Sequence, residues 1–260
     1  QNTSVPAIEI NNANLTVGGG RGFGGGLGAL GGAVADSIRI TSFGFDRALV
    51  GTLEGTLYDF KRDEGGTIVG NANSNLKRAI SDFKRGMDFS RKFYKSEKNL
   101  YASYFIMPWR PAELGPKAFG IQDTVKANFI GVYYKGSFKP EKSGRYRFWG
   151  CADNFLYLKL NGQMAFALNG PATHNAKKEY YFGSHYAKWP MGSSDWFDLR
   201  EGYETEVEIL LGEADGDVSG VFLLVEEHGV SGLKIFSTRA LSTQDKEFLR
   251  KLHPDVSKFL

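Results

Sequence analysis

The chain has 260 residues, enough to bury a sizeable core in one large β domain. Its 32 basic and 29 acidic residues leave a net charge of +3, without the clustered basic excess of a nucleic-acid binder. No apolar run approaches the roughly 18–20 residues that a membrane-spanning helix requires.

Aromatics at 14% and 33 glycines fit many short strands joined by tight turns. The first residue is Gln1, which is how a mature chain trimmed of a signal peptide would begin. Residues 1–17 are polar and Asn-rich, with one short strand pattern at Ala7-Ile8-Glu9-Ile10. Residues 18–32 carry glycine at ten of fifteen positions. Glycine loses the most backbone entropy on ordering, so this run needs a surface to order on. Packing on its own domain is one solution. Packing on neighbouring subunits is the favoured one, with Gly18, Gly22, Phe23, Gly26, Leu27 and Leu30 as the assembly residues. Residues 1–36 are therefore read as an N-terminal arm.

Strand patterns begin at Ile38 and Ile40, and Thr52–Tyr58 reads as the first strand of a sandwich. Residues 74–94 read as a helix, because Leu76, Ala79, Ile80, Phe83 and Met87 recur at three- and four-residue steps. Its other face carries Lys77, Arg78, Lys84 and Arg85 and is taken as solvated. The helix is expected as an insertion packed on one side of the sandwich.

The most informative stretch is 144–162. Tyr146 and Phe148 alternate with Arg145 and Arg147, and Leu156, Leu158 and Leu160 alternate with Tyr157 and Lys159. Both patterns have the period of a strand with one buried face. Asn161-Gly162 is the preferred pair for a type I′ hairpin turn. Between the two strands lies a polar corner, Cys151-Ala152-Asp153-Asn154, and lone Cys151 is expected as a small buried hydrophobe.

The order Gly-x-Tyr-x-Phe, acidic corner, Leu-x-Leu-x-Leu-Asn-Gly resembles the protective antigen fragment domain. That family comprises lectin-like β-sandwiches of a bacterial toxin, yeast adhesins and secreted glycosidases. The resemblance continues in Phe129–Phe138 upstream, and downstream in Trp196-Phe197-Asp198-Leu199, Gly202, Thr205–Leu211 and Val221–Glu226. It covers about 127–227. It implies a mainly β, antiparallel sandwich over 37–240, with the helix near 74–94 inserted, and a location outside the cell or on its surface. Glycan-binding members hold a calcium ion between two consecutive aspartates at the corner. The resemblance sets Ala152 and Asp153 at that pair, so Asp153 is the one metal candidate and Ala152 stands in place of its partner acid. Calcium wants about 6–8 oxygen ligands, so the lone Asp153 is read as capping its own turn, and no cofactor other than calcium comes into question.

Catalytic constellations are missing from the sequence. The four histidines lack metal-ligand spacing, no Gly-x-Ser-x-Gly elbow occurs, and no carboxylate pair stands out as a glycosidase couple. A non-enzyme is expected. Glu213-Ala214-Asp215-Gly216-Asp217 reads as a hairpin turn before a cation loop. Residues 241–260 form a helical tail, with Ser242-Thr243-Gln244-Asp245 as its capping box and Phe248, Leu249 and Leu252 as its stripe.

The sequence is thus read as an exported structural or adhesive subunit of a cell-surface assembly, its partner a second copy or another surface protein. The alternative is a carbohydrate-binding module, calcium-assisted or not. It would use Asp153, Asn154 and the aromatics Tyr180, Tyr181, Tyr186 and Trp189, because sugars stack on exposed rings.

Overall fold

The computed structural model describes residues 8–10, 38–169, 191–252 and 254–260. In chain order the elements are β1 (Ile8–Ile10), β2 (Ile38–Thr41), β3 (Gly44–Phe45), β4 (Leu53–Asp59), α1 (Ala72–Lys84), β5 (Tyr94–Lys95), β6 (Leu100–Ala102), β7 (Ile106–Pro111) and α2 (Leu114–Ala118). They continue with β8 (Ile130–Phe138), β9 (Gly144–Asp153), β10 (Phe155–Leu160), β11 (Gln163–Asn169), β12 (Gly192–Ser193), β13 (Phe197–Leu199), β14 (Thr205–Glu213), β15 (Val218–Glu227), β16 (Lys234–Ile235) and α3 (Thr243–Leu252). A 3-10 turn, Pro254–Phe259, follows.

These strands form two antiparallel sheets. The first runs β1-β2-β3-β6-β4-β8-β14-β10-β11, with β5 also on β4. The second runs β12-β9-β15-β16, with β13 on β9 and β7 on β15. Their facing sides interdigitate. Leu57, Val132, Leu158 and Ile209 from the first sheet meet Phe148, Val221 and Leu223 from the second. This is the antiparallel β-sandwich that the alternating patterns imply. Fully burying a Leu, Ile or Phe contributes about 1.5–3 kcal/mol, so this layer dominates stability.

Two hairpin and cap expectations correspond to the geometry. Asn161 and Gly162 have φ of 49° and 75°, the left-handed pair that a type I′ turn needs. Ser242 and Asp245 cap α3 reciprocally: Ser242 N–H donates to Asp245 Oδ2 at 2.7 Å, and Asp245 N–H donates to Ser242 Oγ at 3.1 Å.

Three features differ from the sequence reading. First, the helix expected over 74–94 spans only Ala72–Lys84. Asn71 caps its start, accepting from Ser74 N–H at 3.0 Å. A Schellman motif ends it: Gly86 N–H donates to Phe83 O at 3.0 Å, and Met87 N–H donates to Asp82 O at 2.8 Å. Gly86 takes φ of 71°, which a side chain would resist. Met87 therefore leaves the apolar stripe and is 44% exposed.

Second, β10 is buried along both faces rather than one. Leu76, Ala79 and Phe83 of α1 cover Tyr58, Phe155, Tyr157 and Leu210 on the outer side of the first sheet. Even Lys159 is enclosed, its ammonium 4.5 Å from the Phe83 ring centroid and 3.9 Å from Glu208 Oε1. Third, β9 is buried on both faces from Phe148 to Asp153. The β2–β3 hairpin and α3 cover Trp149 and Cys151 on the outer side of the second sheet. Cys151 is buried as expected, and burial pushes its thiol up to about 12.

Candidate functional site

The chain crosses between the two sheets twice at one end of the sandwich. β9 lies in the second sheet and β10 in the first, joined only by Asn154. β14 lies in the first and β15 in the second, joined by residues 214–217. Because Phe155 pairs with Gly212 and Asp153 with Gly220, the two crossovers sit side by side. Glycine is required at 212, where a Cβ would collide with the Ile130 carbonyl and the Phe155 ring. Sheet topology thus brings Asp153 and Asn154 to the acidic turn Glu213–Asp217, some sixty residues away in sequence.

Asn154 ties the crossovers together. Its N–H donates to Gly212 O at 2.9 Å, and its Oδ1 accepts from Ala214 N–H at 2.5 Å. That second bond fixes the amide orientation, so Nδ2 points at carboxylates. It donates to Asp153 Oδ1 at 2.8 Å and to Asp215 Oδ2 at 3.3 Å. The Asp153–Asn154 peptide bond is cis. Ala152 is 1% exposed and packs in the main core. The polar side chains at the corner are those of Asp153 and Asn154, both candidates from the sequence.

The turn itself is held by Glu213. Its Oε1 accepts from Asp215 N–H at 2.7 Å and Gly216 N–H at 2.9 Å, while its buried Oε2 has no hydrogen-bond partner. Burial pushes the Glu213 carboxyl up to about 7; those two N–H bonds oppose the rise, and Asp153 and Asp215 add to it. Burial also pushes Asp153 up to about 6, with the charges of Asp215 and Asp217 adding and the Trp109 side chain opposing. Both carboxyls thus ionise at higher pH than an ordinary surface carboxylate.

A divalent cation would need oxygens converging on one point. Among the described residues, no three Asp, Glu, His or Cys side chains do so. The donating Asn154 amide already lies between Asp153 and Asp215. The donor set as arranged does not fit a bound cation, and Asp153 is not assigned as a metal ligand.

Beside the Asp215-Gly216 turn opens a cleft of about 360 Å³. Glu113, Gln122, Lys126, Asn128 and Asp215 supply its polar lining, with Pro116 and Val125 between them. Gly216, at φ of 86°, lets the turn close on Asn128, whose Cβ would lie 2.9 Å from a substituent there. The far wall is anchored from the segment that follows β4. Lys61 Nζ donates to Lys126 O at 3.1 Å and also to Asn128 O, and Arg62 Nη2 donates to Thr124 O at 2.9 Å. The sequence reading missed Glu113, Gln122, Asn128 and Trp109, which form no local motif.

Several expected site residues lie outside the described residues: Tyr180, Tyr181, Tyr186 and Trp189, and the assembly residues Gly18, Gly22, Phe23, Gly26, Leu27 and Leu30. Trp196, one of the residues that carry the resemblance, is half-buried on the outside of the second sheet. The Arg147 guanidinium lies 4.6 Å from its ring, and His228 packs edge-on at 5.1 Å.

No protein-family model and no curated protein matches the chain. Among solved structures, it is similar to the PA14 domain of an antifreeze protein, at 16% identity and a TM-score of 0.44, covering 74% of this chain and 90% of that one. It is similar to a PA14 sugar-binding domain from an RTX adhesin, at 17% identity and a TM-score of 0.43, covering 72% and 95%. A third is the A domain of epithelial adhesin 6 from Candida glabrata, solved with Galβ1-3GlcNAc, at 16% identity and a TM-score of 0.41, covering 72% and 84%.

Proposed function

We propose that this chain is a non-catalytic carbohydrate-binding domain of an adhesive, cell-surface or extracellular protein. The observation that carries this reading is the cleft beside the double crossover. Sugar hydroxyls both donate and accept, so a sugar site needs both kinds of group within one small space. Glu113 and Asp215 accept, Lys126 donates, and the amides of Gln122 and Asn128 do both. The volume of about 360 Å³ lies in the range of small-ligand sites. The partly exposed Asn154 amide, bonded to Asp215 of the cleft, extends the same polar surface, and the order of motifs read in the sequence supports the same class.

Binding follows from hydrogen bonds alone in this proposal, without a cation. The test is a glycan array probed with the chain and with Asp215→Ala and Asn128→Ala. Retention of selected glycans by the parent, lost in both variants at unchanged thermal stability, supports the reading. Retention unchanged in both variants rejects this site, and an empty array in millimolar calcium as well as without it rejects the function.

A second reading concerns assembly through residues 1–36. β1 pairs antiparallel with β2, Ile10 opposite Ile38. The described residues flanking the segment that carries the glycine run, Ile10 and Ile38, thus lie side by side at the edge of the first sheet. We infer that the segment contacts a second copy or another surface protein from that edge. Light scattering of the chain with residues 14–34 deleted, compared with the parent, tests it; equal mass at every concentration argues for one subunit throughout.

A further inference from the structure

At the end of the sandwich opposite the crossovers, the main core is left open. β9 runs from Tyr146 at this end to Asp153 at the corner, about 23 Å of strand at ~3.3 Å per residue. Here a groove of about 480 Å³ lies between the sheet ends and the C-terminal segment. Its floor holds Phe138, Tyr146, Phe197, Leu199 and Val225, all half-buried, above the buried Phe148 and Phe236. The rings form one continuous surface. Phe148 stacks on Phe197 at 4.7 Å and meets Phe236 edge-on at 5.2 Å, and Phe236 meets Phe138 edge-on at 5.9 Å. Leu241, Phe259 and Leu260 line the groove from the C-terminal segment.

The rim is cationic. Lys139, Lys142, Lys234, Lys246 and Arg239 line it, against Glu141 and Glu227. Lys142 is paired with Glu227, and Arg239 with Asp245 at 2.9 Å. Lys139, Lys234 and Lys246 have no carboxylate partner among the described residues. The exposed large apolar side chains among the described residues, Val50, Ile68, Met87, Met164, Tyr203 and Val230, lie outside the groove lining. A contiguous apolar floor under a basic rim matches a ligand with a long apolar tail and one negative head. A folded protein partner would demand a broader face than this narrow slot.

We propose that this groove binds a single-chain anionic amphiphile, a free fatty-acid carboxylate, with its tail on the Phe148–Phe197–Phe236 surface and its head among Lys139, Lys234 and Lys246. The site is separate from the polar cleft and does not depend on the function proposed there.

The test is calorimetry of the full chain with octanoate, decanoate and dodecanoate below their micellar concentrations. Decanol and decyltrimethylammonium serve as neutral and cationic controls. Affinity rises roughly tenfold per two methylenes, and decanoate binds at least tenfold tighter than either control. Lys139→Glu with Lys234→Glu, both exposed, weakens decanoate at least tenfold and leaves decanol unchanged. Leu199→Trp fills the groove and abolishes binding of both; where that variant fails to fold, the charge reversal decides alone. Equal binding of decanoate and the two controls overturns the proposal, as does unaltered decanoate binding in the charge reversal. No binding by any amphiphile also overturns it, and concentration-dependent dimerisation in its place would identify a second copy as the occupant. Glycan retention measured in parallel separates a failure here from a failure of the cleft.

Discussion

Asn154 and Asp215, sixty-one residues apart, are joined by one hydrogen bond of 3.3 Å from an amide nitrogen to a carboxylate. The same nitrogen holds Asp153 at 2.8 Å. A neutral donor thus stands between two acids where, in a cation site, a metal would stand. Replacing Asn154 by Asp removes the donor and sets a third carboxylate beside the pair. Asn154→Asp is expected to lose about 1–3 kcal/mol of stability without metal and to regain part of it in millimolar calcium. The parent is expected to show no calcium-dependent shift in Tm. Differential scanning fluorimetry with and without EDTA checks both.

The raised carboxyls of Asp153 and Glu213 set a pH dependence of unusual sign. Both are raised by folding, to about 6 and about 7. Between the unfolded carboxylate range near 4 and these values, the native state binds more protons than the unfolded chain. The contribution of these groups to stability therefore falls as pH rises from about 4 to 7 and is flat above. Glu213→Gln, which keeps an oxygen for the Asp215 and Gly216 N–H groups, flattens this slope and raises Tm at pH 8 relative to the parent. Thermal melts from pH 4 to 8 measure it, and an unchanged slope would place the titration elsewhere.

Lys159 separates packing from charge. Its stem runs under α1, and Glu208 keeps a second partner, accepting from the Tyr133 hydroxyl at 2.5 Å. Lys159→Met retains the stem volume and changes stability by about 1 kcal/mol or less. Lys159→Ala opens a cavity beneath Phe83 and costs about 2–4 kcal/mol. Urea unfolding of the two variants distinguishes them; equal losses would show that the charge, not the packing, matters at this position.

Gly86 closes α1 in a left-handed conformation, and a Cβ there would meet only Lys159 Nζ, at 3.9 Å. Gly86→Ala makes no clash yet costs about 1–2 kcal/mol, because the left-handed region penalises any Cβ. Gly86→Asn, which tolerates that region better, loses less. Chemical denaturation ranks the three.

Much of the sandwich is legible as period-two alternation. Val132 and Tyr134 in β8, and Val207, Ile209 and Leu211 in β14, point inward as their spacing implies. What escapes the sequence has one cause, contact between segments far apart in the chain. β10 reads as half-buried because nothing near Tyr157 or Lys159 announces that α1, some eighty residues earlier, covers them. The acidic turn reads as an ordinary hairpin connection because its meeting with Asn154 depends on which sheet each flanking strand joins. The cleft residues Glu113, Gln122 and Asn128 carry no local pattern at all.

The double crossover also governs how the molecule would carry load. Asp153 ends a strand of one sheet, Asn154 alone spans to the other, and Ala214 to Asp217 return across the same edge. Tension applied to a ligand seated there enters both sheets at once. Along β9, β10, β14 and β15 it pulls parallel to the strands, so rows of interstrand bonds must shear together rather than unzip singly. Force entering at this end is thereby divided between the two sheets rather than borne by one strand.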